Sequence, residues 1–367
     1  MPRPRTLAAA LLLFGACVAS PEPGPQALLT LDRQWAAVLA GDSTRLAVTA
    51  LDPLGDTVPN PAVSWTSDNP SVADVDQAGL VRAHTIGSAS ITAAIETTTA
   101  VARIVVAPAV LVGAGDIAGC TYDRDEATAR LLDSIPGVVF TAGDNAYPNG
   151  TLAEFTLCYD PTWGRHKNRT RPSPGNHDYR TLNGAHYYSY FGPVAGDSGV
   201  GYYSYDLAGW HIISLNSNVS MAAGSAQERW LRADLAAHPT ACTIAYWHHP
   251  RFSSGQHGNS TAPQPLWQAL YDANADIVIS GHDHTYERFA PQTPAGVLDT
   301  ARGIREFVAG MGGAGFYDFP TIRANSEVRN NTANGVIKLT LRAGAYDWEF
   351  VPTAGATFRD SGTGKCH

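Results

Sequence analysis

Apolar and polar residues alternate in short runs from about residue 28 to residue 108. Val63-Ser64-Trp65, Val72-Ala73-Asp74-Val75 and Ala89-Ser90-Ile91-Thr92 each put apolar side chains on one face and polar ones on the other. This period of two marks half-buried strands, and Gly79 falls where a hairpin turn must join Val75 to Leu80. From residue 109 the pattern changes. Apolar runs at 110–113, 138–141, 243–247 and 277–280 lead straight into polar residues, as strands do when they end at a loop. Elsewhere the spacing lengthens to a helical one. Ser225 and Glu228 form a capping-box pair ahead of Trp230, Leu231 and Leu235, and Leu266, Trp267, Leu270 and Tyr271 repeat the helical pattern. Further strands are expected at 336–341 and 345–351. The chain therefore reads as an all-β sandwich at 28–108, then an α/β sandwich with outer helices at 109–367.

The start of the chain has another character. Arg3 and Arg5 precede an apolar run at 7–16. A span of the bilayer needs about 20 helical residues, so residues 1–16 read as an export signal rather than a transmembrane helix. Cys17 follows directly, in Leu13-Phe14-Gly15-Ala16-Cys17, which resembles a bacterial lipoprotein processing site with an acylated cysteine. Phe14 stands where an aliphatic residue is usual, so ordinary signal cleavage stays open. Residues 17–27 read as a Pro-rich tether. The expected location is the bacterial cell envelope, lipid-anchored or secreted. Export permits disulfides, and lipidation of Cys17 leaves four of the five cysteines for two bridges. Charge narrows the partners: 25 basic against 33 acidic residues leave −8, which repels a nucleic-acid backbone.

Candidate chemistry gathers where the predicted strands end. In order come Gly115-Asp116, Gly143-Asp144-Asn145-Ala146-Tyr147, Gly175-Asn176-His177-Asp178, His248-His249-Pro250 and Gly281-His282-Asp283-His284. Glycine lets the backbone turn tightly, so the next side chain faces a shared crevice. In an extended segment His282 and His284 share a face and reach one cluster. All these donors are oxygen or nitrogen, which favours Fe, Mn or Zn over a thiolate structural site. Each motif alone has a plainer reading, as a turn aspartate or a packed histidine. Five in one domain, each after a strand, make a metal-binding constellation.

The segment 63–93 is similar to bacterial Ig-like domains of group 2, and the resemblance extends over nearly all of residues 28–108. From residue 109 the motif order resembles the metallophosphoesterase (calcineurin-like) superfamily and, within it, the purple acid phosphatases. Gly281-His-Asp-His-Thr-Tyr-Glu-Arg288 matches that subgroup's GHxHxYER. Ala118 stands where many superfamily members carry a first-motif histidine, and Tyr147 occupies the place of the subgroup's tyrosine ligand. The resemblance implies a four-layer α/β/β/α sandwich behind the Ig-like one, with two metal ions. One would bind Asp116, Asp144, Tyr147 and His284, the other Asp144, Asn176, His248 and His282, with Asp144 bridging. Two carboxylates and a phenolate suit Fe(III) at the first site; three neutral donors beside the shared carboxylate suit Zn, Mn or Fe(II) at the second. The implied reaction is hydrolysis of phosphomonoesters by metal-bound hydroxide. His177 is expected to protonate the leaving group, with Asp178 fixing its tautomer. His249 and His257 are candidates for the substrate mouth.

The other histidines have mostly structural readings. His84 reads as a surface strand residue, His211 lies on a predicted strand, and His238 ends a helix; His166 and His186 sit in long loops and are weaker mouth candidates. Cys120 follows a strand on the metal side. Cys242 begins a strand whose far end carries His248, about 16 Å away at ~3.3 Å per residue. A Cys120–Cys242 bridge is therefore disfavoured. Cys120–Cys158 with Cys242–Cys366 is the expected pairing, against the alternative that joins Cys120 to Cys366. The rival functions are a phosphodiesterase or nucleotidase using the same metals, and a surface binding protein whose metal domain is inert.

Overall fold

The computed structural model describes residues 28–240 and 242–367. The export signal, the tether at 17–27 and Cys17 lie outside the described residues.

Three small sheets enclose the first core, the smallest pairing Leu28–Leu31 with Val48–Leu51. Trp35–Leu39, Thr98–Ala107, Gly87–Ile95 and Ser64–Ser67 pair in that order, and Ser43–Arg45, Leu80–Ala83 and Ala73–Val75 form the second sheet. Their alternating faces bury Trp65, Val81, Ile91 and Ile104 together. Gly79 makes the expected turn with φ of 74°. The strand Thr98–Ala107 continues through Pro108 into Ala109–Ala114, which ends at Gly115-Asp116. The two units also touch: a Cβ on Gly41 would lie 2.6 Å from the Ala208 carbonyl oxygen.

The larger unit is built from two mixed sheets packed face to face. One runs in the order Thr170–Ser173, Val138–Ala142, Ala109–Ala114, Gly335–Arg342, Ala345–Pro352 and Ser361–Lys365. The other runs Tyr203–Leu207, Trp210–Ser214, Thr243–Tyr246, Ile277–Ser280, Arg305–Ala309, Tyr286–Phe289 and Ser326–Asn330. Each has parallel strands at its heart, so several strands deliver their C-terminal ends to one edge. Helices Ala226–Ala237 and Gln264–Asp272 cover the second sheet through Leu231, Leu235, Leu266, Trp267 and Leu270. Helix Arg124–Ser134 packs against Gly335–Arg342 of the first sheet. The result is the α/β/β/α order.

Two local expectations can be checked atom by atom. The Ser225 hydroxyl caps Ala226–Ala237 by accepting the Glu228 N–H at 3.2 Å. The Glu228 carboxylate, however, takes the Gly224 N–H rather than that of Ser225, so the reciprocal bond reaches one residue further back. The disulfides are Cys120–Cys158 and Cys242–Cys366, with Cα atoms 5.0 and 5.3 Å apart. Among the described residues no helix is long and apolar enough to cross a membrane.

Candidate metal centre

The loops after Ala109–Ala114, Val138–Ala142, Thr170–Ser173, Thr243–Tyr246 and Ile277–Ser280 converge at one sheet edge. Their backbone is unusual where chemistry is expected. Asp116, Asp144 and His282 sit at φ of 60°, 50° and 71°, a left-handed region that non-glycine residues enter at a cost. This corrects the role assigned to the glycines. Gly143 does turn with φ of 80°. Gly175 and Gly281 instead leave room: a Cβ would lie 2.1 Å from the Asp144 nitrogen at the first and 2.7 Å from Asp116 Oδ2 at the second. The His282-to-His284 segment is likewise not an extended strand. His282 reaches the cluster because its own backbone bends back.

The donors meet at short range. His248 Nδ1 donates to the Ala142 carbonyl at 2.8 Å, and His284 Nδ1 to the Gly315 carbonyl at 2.6 Å. Each ring therefore turns Nε2 inward. His248 Nε2 lies 3.0 Å from Asn176 Oδ1, 3.3 Å from Asp144 Oδ2 and 3.2 Å from His282 Nδ1. His284 Nε2 lies 3.1 Å from the Tyr147 hydroxyl and 3.4 Å from Asp116 Oδ1. That hydroxyl is 2.8 Å from Asp116 Oδ1 and 2.9 Å from Asp144 Oδ2. Asp116, Asp144 and His248 are all buried. Lone pairs thus face lone pairs, and only protons or cations can bind them together.

The electrostatics follow from that crowding. Burial opposes a charge on His248, yet the Asp144 carboxylate outweighs it and lifts the imidazole to about 9. Burial would raise Asp144, but His248 holds it well below the usual carboxylate range. Burial and the two carboxylates push the Tyr147 phenol far above its ordinary value. Burial and the neighbouring imidazoles drive His282 down, leaving it a neutral donor. A cation held among these groups inverts the first and third effects, because it replaces the proton as the positive partner. The donor set therefore fits a hard or borderline metal.

The remaining site residues fall into place unequally. His177 lies at the rim, with Nδ1 donating to the Pro148 carbonyl at 2.6 Å and Nε2 3.8 Å from Asp144 Oδ2. Asp178 does not orient it. The Asp178 carboxylate is buried under the loop, accepting N–H groups from Gly175, Asn145 and Ala146 and the Asn145 side-chain amide. His177 and Asp178 are successive residues of the helical turn Asn176–Tyr179, and successive side chains on a helix diverge. His249 packs its ring 4.4 Å from His282 and bonds Ser217 Oγ through Nδ1 at 2.7 Å. His257 lies with its ring 4.0 Å from His282. His166 is elsewhere, buried against the Ala129 carbonyl and Asp133. Sequence reasoning missed the two carbonyls that set the tautomers, and Tyr317, whose ring stacks on His284 at 4.0 Å. Backbone carbonyls carry no sequence signal, and Tyr317 lies outside every motif.

The chain is similar in sequence and in fold to known proteins. A family model described as Calcineurin-like phosphoesterase matches residues 110–286, and one described as Bacterial Ig-like domain (group 2) matches residues 29–106. Purple acid phosphatase 15 of Arabidopsis thaliana is 28% identical over 211 residues, covering 47% of this chain and 40% of the relative. Purple acid phosphatase 23 of the same plant is 29% identical over 212 residues, covering 47% and 46%. The chain thus spans less than half the length of these curated relatives. The structure of purple acid phosphatase PPD1 from yellow lupin (Lupinus luteus) has the same fold, with a TM-score of 0.60 at 16% identity over 92% of this chain and 73% of that one.

Proposed function

We propose that the chain, whose residues 110–286 match the Calcineurin-like phosphoesterase family model, is a binuclear-metal phosphatase hydrolysing phosphomonoesters. The observation that carries this reading is the inward-facing donor set, in which the Nε2 of His248 meets Asn176 Oδ1 and Asp144 Oδ2 within 3.3 Å. Asp116, Asp144, Tyr147 and His284 would hold one cation, and Asp144, Asn176, His248 and His282 the other. The first set carries more negative charge and suits Fe(III); the second suits Zn, Mn or Fe(II). Two cations there would supply Lewis-acid charge for the phosphate oxygens and an activated water at neutral pH.

The protein's own groups do the rest. Ala142 and Gly315 keep the two Nε2 lone pairs aimed inward, so the ligands need no reorganisation. His177 has its Nδ1–H committed to Pro148, so the proton it can pass on sits at Nε2, on the crevice side. That proton would go to the leaving alkoxide. His249 and His257 would line the mouth. The net charge of −8 does not oppose a phosphate ester, since the cations dominate the local field.

Residues 28–108 would form the Ig-like domain and 109–367 the phosphatase domain. Two disulfides and an Ig-like domain support a location outside the cytoplasm, and a lipid at Cys17 would anchor the chain there. The test is phosphate release from a panel of mono- and diesters by the metal-loaded and the chelator-stripped protein. Metal-dependent release from monoesters supports the reading. Preference for diesters would move it to a phosphodiesterase, and no release from any ester would favour a binding protein.

A further inference from the structure

The segment 251–257 between His249 and the mouth has no regular structure, yet it is tied down by three buried carboxylates. Glu306 accepts the N–H groups of Arg251 and Phe252 at 3.1 and 3.0 Å. Glu287 accepts that of Ser254 at 2.7 Å. Asp283 does most. Its Oδ1 accepts both the backbone N–H and the ring Nδ1–H of His257, each at 2.9 Å, while Oδ2 accepts the Ser253 hydroxyl. The loop wraps closely around that carboxylate: a Cβ on Gly255 would lie 2.5 Å from Asp283 Cγ. The His257 ring is further confined by His282 at 4.0 Å and by the Tyr317 ring at 5.4 Å.

A side chain between two metal-ligand candidates could have packed as an inert spacer. Asp283 instead directs a wholly buried carboxylate at the rim imidazole, at that residue's backbone N–H and at the Ser253 hydroxyl. Burying a charge is unfavourable unless it is matched by hydrogen bonds, and here those bonds come from a single loop. With Nδ1 facing Asp283, Nε2 lies on the opposite side of the ring, and 41% of the His257 side chain is open to solvent.

We propose that Asp283 is a positioning residue, which holds His257 as the Nδ1–H tautomer and presents Nε2 to an oxygen of the bound ester. The inference rests on the phosphatase reading above and adds the group that aims its rim histidine. Asp283 acts through His257 and touches no reacting atom, so the two residues must behave as one unit.

Two measurements decide it. Nitrogen-15 NMR of the wild-type protein with the His257 ring assigned should show the proton on Nδ1, bonded to a carboxylate; a proton confined to Nε2 overturns the proposal and needs no variant. In kinetics with 4-nitrophenyl phosphate, Asp283→Asn and His257→Gln should each lower kcat/KM about 10- to 100-fold. The double variant should be no worse than His257→Gln alone, and metal content should match the wild type throughout. Losses that multiply in the double variant, or loss of metal in Asp283→Asn, would instead make Asp283 a support for the flanking histidines and overturn the proposal. Should the wild type hydrolyse no ester, the functional reading fails on its own, and the ring assignment alone still decides the dyad.

Discussion

Two clusters of histidine and aspartate sit at opposite ends of the same parallel strands, and they are built to different rules. At the carboxyl ends, His248, His282, His284, Asp116 and Asp144 turn acceptor atoms toward one another, and Asp116, Asp144 and His282 do so from left-handed backbone. At the other end, His211 lies at the start of Trp210–Ser214 with every polar atom of its ring matched. Its Nδ1 bonds Asp206 at 2.9 Å and its Nε2 bonds Asp234 at 2.8 Å. The His238 ring stacks over it at 4.5 Å. Similar residue types therefore serve opposite ends. The second cluster sets an imidazole between two carboxylates that favour its protonated form; the first gathers inward-facing acceptors that a proton or a cation can bind.

Substitutions can break this contrast, and the largest effect is expected at its centre. Asp144→Asn removes charge from both halves of the site, so steady-state assays should show turnover lower by about 10³-fold or more. His177→Gln removes the ring proposed to protonate the leaving group and should lower kcat by about 10²- to 10⁴-fold, with the bound metals unchanged. Tyr147→Phe is subtler. Iron-loaded wild type should show a visible charge-transfer band from the phenolate, and the variant should lose that band while keeping its circular dichroism spectrum. A band that survives would remove Tyr147 from the ligand set.

The smallest effect is expected at the other cluster, and it concerns stability alone. Burial would lower His211, but Asp234 and Asp206 raise it above the ordinary 6.5. Its contribution is therefore complete below pH 6.5 and fades as pH rises through the raised folded value. Asp234 is lowered from 3.8 despite its burial, through His211, so its share appears above that pH and is lost on further acidification. His211→Gln should thus lower the melting temperature by roughly 5 °C near pH 5.5, and by less at pH 8.5. Its phosphatase rate should equal that of the wild type.

The elements and the ligands were legible for different reasons. Apolar runs such as 138–141 and 277–280 mark strands because both faces are buried, and the observed strands Val138–Ala142 and Ile277–Ser280 differ from them by at most one residue. The motif residues were legible because their chemical types and order are rare together. What could not be read is how the backbone presents them. Positive φ at Asp116, Asp144 and His282 is imposed by surrounding packing, and it falls on the residue after each motif glycine, where the residue type gives no sign of it. Asp178 was misread because adjacency in sequence was taken for adjacency in space. Asp283 was passed over because the residues that it holds, Ser253 and His257, lie some 26 to 30 positions earlier in the chain.

Acceptor faces acceptor at the strand ends, and two shared cations are the proposed reason. Counting metal per chain in purified wild type and in Asp144→Asn, by elemental analysis after loading and desalting, tests it most directly. Two ions per chain are expected for the wild type and less than one for Asp144→Asn. Equal occupancy in the two proteins, or one ion or none in an active wild type, would contradict it.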